Sequence, residues 1–371
     1  MTDAAEFQRR QLYDPAAPTA ADRLALLRWL EAQGATVDEM VAAFREGRLT
    51  ALVADLVLRP GPRFDLRELA GRTGLGAEQI ARIWRAAGFP PPAPGAGLFT
   101  ADNVSTFATF RAAAAIFGEQ AMLHFTRTLG NALATVAEAA VSMFLVNVQA
   151  HLMGEHPSEL ALAQADLEAR QLLSGVPGFM ESLFRVHAEE AIRRSRQTRI
   201  TAGRHDTSRL AIGFVDLVGF TPLTQQLSTR ELAGVVDEFE ARAFDVAAER
   251  DGRVVKLIGD EVMFVAPTAA AGCEIALTLA EAFRERRGVT PRGGVAFGEV
   301  LTRGGDYYGT IVNVAARIAE LAIPHEVLVT AEVEDAARAA GAPLAFAPAG
   351  RRMLKGFAEP VAVFAAARAP G

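Results

Sequence analysis

The chain has almost no cysteine. A single thiol, Cys273, in 371 residues leaves nothing for an intramolecular disulfide to join. That removes the stapled secreted domains from consideration and makes a reducing cytoplasm the expected compartment. The first residues, Met-Thr-Asp-Ala-Ala-Glu-Phe, lack the basic-then-apolar pattern of a secretory leader. Long apolar runs are also scarce. The longest uncharged stretch, about 139–154, contains Ser142, Asn147, Gln149 and His151 and falls short of the ~20 apolar residues that span a bilayer, so no transmembrane segment is expected. Charge of one sign is lacking too. The net charge is −6 with acids and bases interspersed, so no overall field draws the chain onto nucleic acid or an anionic membrane.

What is present is the composition of packed globular domains, half of it apolar and 22% charged. The length exceeds one ordinary core and predicts at least two. From about residue 20 to 204, apolar residues recur three and four apart, as in Leu24, Leu27, Leu30 and again Phe179, Leu183, Val186, the period of amphipathic helices. The run Pro90, Pro91, Pro92, Pro94, Gly95, Gly97 breaks this half with a linker or long loop. After residue 204 the texture changes. Short β-rich runs, Leu210 to Val215, Val254 to Ile258 and Val262 to Val265, alternate with helical patterns such as Thr229 to Glu249 and Ala269 to Arg286. The dipeptide Gly259-Asp260 between two of these runs predicts a β-hairpin.

Two aspartates occupy telling places. Asp216 ends the apolar run Ala-Ile-Gly-Phe-Val, where a strand turns toward a helix, and Asp260 sits at the hairpin tip. If the tip lies beside Asp216, two hard oxygen donors converge, which suits Mg²⁺ or Mn²⁺ completing its shell with water and substrate phosphates. Each aspartate alone reads more simply as a turn-former.

Three blocks carry a resemblance: Phe-Val-Asp-Leu-Val-Gly-Phe-Thr, Gly-Arg-Val-Val-Lys-Leu-Ile-Gly-Asp-Glu-Val-Met-Phe and Asp-Tyr-Tyr-Gly-Thr-Ile-Val-Asn-Val-Ala-Ala-Arg-Ile. In this order and spacing they resemble the class III nucleotide cyclases, over about residues 205 to 368. The resemblance implies an α+β protein: an N-terminal all-α regulatory domain (1–178), a linker or switch helix (179–204) and a ferredoxin-like βαββαβ cyclase domain (205–371). It also implies a head-to-tail homodimer with two Mg²⁺ or Mn²⁺ ions per site. By position, Asp216 and Asp260 match the metal aspartates, Lys256 and Asp306 the pair that reads adenine, Asn313 the ribose-orienting asparagine and Arg317 the transition-state arginine. Lys355 matches the triphosphate lysine, with Arg351 and Arg352 as nearby competitors. The chemistry agrees: a lysine donates to adenine N1, an aspartate accepts from the exocyclic amine, and guanine presents the opposite pattern. Asn313 and Arg317, four apart on a helix after Gly309, share a face. The implied reaction is ATP to cyclic AMP and pyrophosphate, and guanylate cyclases carry an acidic residue where Lys256 stands.

The helical half is less specific. The stretch 64–89 has a helix-turn-helix outline that would aim Gln79, Arg82 and Arg85 at a groove. However, Ile80, Ile83 and Trp84 serve a core, while Asp65, Glu68 and Glu78 dilute the positive charge, so DNA is not expected as a partner. The stretch 107–153 is rich in Phe, Met, Ala and Leu. It reads first as a bundle core or dimer interface and second as a pocket for a fatty acid or other lipid. The layout resembles soluble bacterial cyclases with pH- or fatty-acid-responsive N-terminal domains. His187 with Arg193, Arg194, Arg196 and Arg199 reads either as a solvated face or as a switch that sets catalytic spacing. The alternative function is a nucleotide-sensing regulator without turnover.

Overall fold

The structure, a computed structural model, describes residues 2–53, 61–152, 158–173, 175–202, 207–283 and 289–370. The chain forms two compact units, Met1–Ala188 and Glu189–Gly371.

The first unit is helical: α1 (Ala4–Arg9), α2 (Ala20–Ala32), α3 (Val37–Arg45), α4 (Leu66–Thr73), α5 (Ala77–Ala86), α6 (Ala101–Phe117), α7 (Glu119–Phe144), α8 (Glu159–Leu173) and the first half of α9 (Val176–Ala202), whose second half belongs to the other unit. Helix α7 continues through a π-helical turn, Leu145–Gln149, to Leu152. Local sequence sets several ends. Thr36 with Glu39, and Asp65 with Glu68, form reciprocal capping boxes, which satisfy orphan N–H groups of the first turn. Apolar residues gather in two clusters, one from Phe7 through Val53 joined by Ala163 and Leu167, the other from Phe64 through Leu123. The proline run forms a loop but not a domain boundary. Phe64 and Phe99 pair across it, and residues on both sides share the second cluster.

Helix α7 departs from the expectation. With its extension, Glu119–Leu152, it is long and apolar enough by length and composition to cross a membrane. The uncharged run alone hid this, because mean hydropathy tolerates the few charges that interrupt a helix. Many of its apolar side chains, including Phe125, Leu129, Leu133 and Val136, are exposed.

The second unit is built on an eight-stranded sheet, β1 (Thr207–Val218), β2 (Arg253–Ile258), β3 (Glu261–Ala266), β4 (Thr290–Arg303), β5 (Asp306–Tyr308), β6 (Val327–Thr330), β7 (Leu344–Arg352) and β8 (Val361–Arg368). The order is β2-β3-β1-β4-β6-β8-β7, with β5 on the end of β4, and only β4–β6 is parallel. After β1 come the short α10 (Phe220–Thr224) and the long α11 (Thr229–Glu249), and α12 (Ala269–Ala282) lies between β3 and β4. With the first four strands these helices form the antiparallel βαββαβ core. The overall class is α+β. Helices α11 and α12 cover one face through Val235, Phe239, Ile275 and Leu279. Helix α13 (Thr310–Leu321) covers the other through Val314, Ala315 and Ile318, and α14 (Ala331–Ala339) follows β6. The approach of α13 is set by Gly294 on β4. A methyl there would sit 2.4 Å from the Ala319 nitrogen and 2.6 Å from the Ala315 oxygen, far inside van der Waals contact, so a side chain would push α13 off the sheet.

Candidate active site

The candidate residues fall on the face of the sheet that carries α13. Side chains alternate along a strand, and Ile212 and Phe214 of β1 point into the cluster beneath α13, so Asp216 takes the same face. Its cross-strand neighbours are Glu261 on β3 and Arg292 on β4. Arg292 Nη2 and Nε donate to Asp216 Oδ2 at 2.9 and 3.1 Å, and its Nη1 donates to the Glu320 and Ala322 carbonyls at 2.7 and 3.4 Å.

Asp260 lies at the β2–β3 turn, as expected, and its carbonyl accepts from Leu217 N at 3.2 Å. That bond ties the hairpin tip to the strand bearing Asp216. Burial, and after it the neighbouring charge of Asp216, pushes the Asp260 carboxyl above its ordinary range, opposed by the bond from its own backbone N–H and, less, by Arg292. Glu261 is pushed further, to about 7, by burial and by the charges of Asp216, Glu320 and Asp260. The charge of Asp216 raises the pKa of both neighbouring carboxyls, a repulsion that a divalent cation relieves. Among the described residues no group of three or more His, Cys, Asp or Glu could hold a metal by itself. Two aspartates with open coordination positions fit Mg²⁺ or Mn²⁺, which draw remaining ligands from water and phosphate.

Lys256 owes its direction to a β-bulge. Val254 pairs with Phe264, but Lys256 pairs with Met263, leaving Val255 as the extra residue. The insertion re-aims the side chains beyond it, and Lys256 joins Met263 on the α13 face. There its Nζ donates to Asp306 Oδ2 at 2.7 Å, across 50 positions of sequence. Asp306 Oδ1 accepts from Tyr307 N at 2.9 Å. The Lys256 side chain is 44% exposed and that of Asp306 29%, so both retain capacity toward a ligand.

Asn313 and Arg317 sit on α13 as predicted, Asn313 exposed and Arg317 half-buried. Among the described residues of one chain, neither bonds Asp216 or Lys256. Arg317 Nη1 instead bonds both carboxylate oxygens of Glu320, at 2.7 and 2.9 Å. Lys355 is exposed in the β7–β8 connection, next to the buried Leu354, whose carbonyl accepts from Phe357 N at 3.1 Å.

Residues 203–365 match the adenylate and guanylate cyclase catalytic domain, and residues 10–192 match the adenylate cyclase regulatory domain. An adenylate cyclase of Streptomyces coelicolor is 33% identical over 307 residues, 80% of this chain and 78% of that one. The chain belongs to the class III adenylate cyclase family. An uncharacterized protein of Mycobacterium tuberculosis is 34% identical to this cyclase over 98% of it and 95% of the relative. A pH-sensitive adenylate cyclase of the same species is 29% identical over 93% and 87%. The crystal structure of an adenylyl cyclase from P. aeruginosa resembles the catalytic unit with 21% identity, covering 44% of this cyclase and 97% of that chain, at a TM-score of 0.40.

Two residues of the candidate site could not be named from the sequence, Arg292 and Glu261, the cross-strand neighbours of Asp216. Glu261 had a signal, since it directly succeeds Asp260 in a strand that must place alternate side chains beside β1. Arg292 had none, because its meeting with Asp216 depends on the β1–β4 register.

In the helical unit, Arg82 pairs with Glu119 at 2.6 Å and Ile80 and Ile83 are buried, which occupies α5 with packing. His187 is exposed, and Arg193 and Arg194 bond Glu190 on their own helix. The Arg199 side chain lies outside the described residues.

Proposed function

We propose that the chain converts ATP to 3′,5′-cyclic AMP and pyrophosphate at sites shared between two copies, each site using two Mg²⁺ or Mn²⁺ ions. The observation that carries the reading is the 2.7 Å pair between Lys256 Nζ and Asp306 Oδ2. A cation and a carboxylate held side by side present a donor and an acceptor to one edge of a purine. Adenine, with N1 an acceptor and its amine a donor, matches them, and guanine reverses the pattern.

In the proposed reaction Lys256 and Asp306 fix the base, Asn313 orients the ribose, and Lys355 engages the triphosphate. Arg317 leaves Glu320 and turns its planar fork of donors to the charge that grows on the α-phosphate oxygens. Asp216 and Asp260 hold the cations, which supply a lowered pKa for the 3′-hydroxyl and charge neutralisation on the leaving pyrophosphate. Arg292 holds the Asp216 carboxylate in its aim.

Exposed apolar residues support the homodimer. Ile258, Tyr308, Leu321, Ile323 and Met353, in or beside the elements that carry candidate residues, are each more than 40% exposed, and exposed apolar surface marks an interface. We also read residues 10–192 as regulating the rate, with α9 as the switch segment that carries the chain from one unit to the other. A lipid ligand draws support only from composition. A cavity of about 430 Å³ in this unit lies elsewhere, with a mixed lining that includes Gln11, Leu12, Tyr13, Asp14, Arg23 and Phe44.

The test is a product assay on the purified full-length chain with Mn²⁺ and either ATP or GTP. Cyclic AMP from ATP, with far less cyclic GMP from GTP, is expected. No product from either nucleotide by a dimeric preparation would replace this reading with the nucleotide-sensing regulator.

A further inference from the structure

Arg253 makes contacts that neither the metal aspartates nor the phosphate-binding groups require. It stands on β2 three residues before Lys256. Its Nη2 donates to the Gly305 carbonyl at 3.1 Å and to Tyr307 Oη at 3.4 Å, and its guanidinium carbon lies 5.7 Å from the centre of the Tyr307 ring. Gly305 and Tyr307 are the two neighbours of Asp306. The strand that carries Lys256 therefore grips the chain on both sides of the carboxylate that Lys256 must face.

The grip has something to hold. Strand β5 is three residues long, lies off the main path of the sheet and pairs only with the end of β4, where Arg303 faces Asp306. The turn between them uses Gly304 and Gly305, with φ of 61° and 81°, a two-residue loop of left-handed backbone. A hairpin arm this short is marginal by itself. The Lys256–Asp306 bond cannot fix it, because a half-exposed ion pair between flexible side chains contributes little. The Tyr307 ring, half-buried against the α13-face cluster, and the planar Arg253 fork are the stiffer elements. One nitrogen, Nη2, serves both the carbonyl and the hydroxyl, while the flat guanidinium lies near the Tyr307 ring, a planar contact that a lysine ammonium does not reproduce.

We propose that Arg253 is a positioning residue for purine selection: by docking the Gly305–Tyr307 turn onto β2, it sets the separation between Lys256 and Asp306. The proposal rests on the reading that those two side chains recognise adenine. It predicts a particular division of kinetic effects. Loosening the turn leaves the metal aspartates and Arg317 in place but blurs the donor–acceptor spacing that distinguishes the bases.

The experiment is steady-state kinetics with ATP and with GTP on full-length Arg253→Ala, Arg253→Lys, Lys256→Ala and Asp306→Ala, each with its fold checked by circular dichroism. Arg253→Ala is expected to lower the ATP-to-GTP ratio of kcat/KM about tenfold, mainly through a higher KM for ATP with kcat within about threefold of the parent. Arg253→Lys should fall between. An unchanged ratio in Arg253→Ala, alongside a collapsed ratio in Lys256→Ala and Asp306→Ala, overturns the positioning role and leaves adenine recognition standing. An unchanged ratio in all the variants overturns both. If Arg253→Ala does not fold, Arg253→Lys decides: a lowered ratio supports the role and an unchanged one overturns it.

Discussion

Arg292 grips Asp216 with two donors on a single carboxylate oxygen, 2.9 and 3.1 Å away, while its remaining terminal nitrogen holds the backbone at the end of α13. The side chains are only 26% and 21% exposed, so this pair is shielded more than a surface salt bridge. Arg292 is also the cation that restrains the upward shift of Asp260 and Glu261. Arg292→Ala is therefore expected to destabilise the catalytic unit by about 1–3 kcal/mol, the cost of leaving a partly buried charged group without its bonds. Arg292→Lys should recover little of it, since one ammonium cannot serve Asp216 and two carbonyls in the same geometry. Chemical denaturation of the two variants and the parent measures this, and a lysine variant as stable as the parent would show that charge alone matters.

Glu261 gives a pH dependence with a definite sign. Its folded pKa, about 7, stands above the ordinary 4.5. The folded chain therefore binds a proton more tightly than the unfolded one, and stability is lost as pH rises from about 4.5 through 7. Glu261→Gln removes the penalty. In protein freed of divalent cations, the variant should melt near the parent at pH 4.5 and above it at pH 8. Added Mg²⁺ should narrow the difference at pH 8, because the cation offsets the same carboxylate repulsion. Melting temperatures at the two pH values, with and without the metal, check the sign.

The candidate metal and adenine residues were legible for different reasons than their arrangement. Asp216 and Asp260 announce themselves as the close of an apolar strand run and a hairpin tip; the hairpin formed where patterning placed it, while β1 runs two residues beyond Asp216, to Val218. Lys256 carries a further signal in composition: the chain has two lysines, Lys256 and Lys355, and uses arginine for its other basic side chains. What could not be read was register. The bulge at Val255 that turns Lys256 onto the α13 face, the rung that sets Arg292 against Asp216, and the fold-over that brings Arg253 to Gly305 all join residues distant in sequence. The helical unit was legible as helices, but the exposure of the α7 apolar side chains was not, because periodicity reports which residues share a face and not whether another element covers it.

Shared sites make a quantitative prediction. Asp216→Ala and Lys256→Ala should each be inactive, for one loses a metal carboxylate and the other loses half of the adenine pair. If every site takes its aspartates from one copy and its lysine from the other, a mixed dimer retains one complete site of its two. Random exchange of equal amounts makes half of the dimers mixed, so recovery of about a quarter of the parent's activity is expected from a closed dimer with two such sites. Recovery measured after unfolding and refolding the two variants together, against each refolded alone, tests it. No recovery with mixed dimers demonstrated by differential tagging places each site within one chain.

Arg317 bonds Glu320, a contact that looks restraining but should cost little to break. The side chains are 38% and 55% exposed, and pairs of this kind contribute about 0–1 kcal/mol. Arg317 is then free to turn toward a developing phosphate charge. Glu320→Ala should leave stability within about 1 kcal/mol of the parent and should not abolish turnover. Arg317→Ala removes a donor whose bond strengthens as charge grows, and losing such a group costs about 10²–10³ in kcat, with KM for ATP little changed. Rate and melting measurements on both variants separate the roles. If Arg317→Ala raised KM while kcat held, the arginine would act in binding ATP and not in stabilising the transition state.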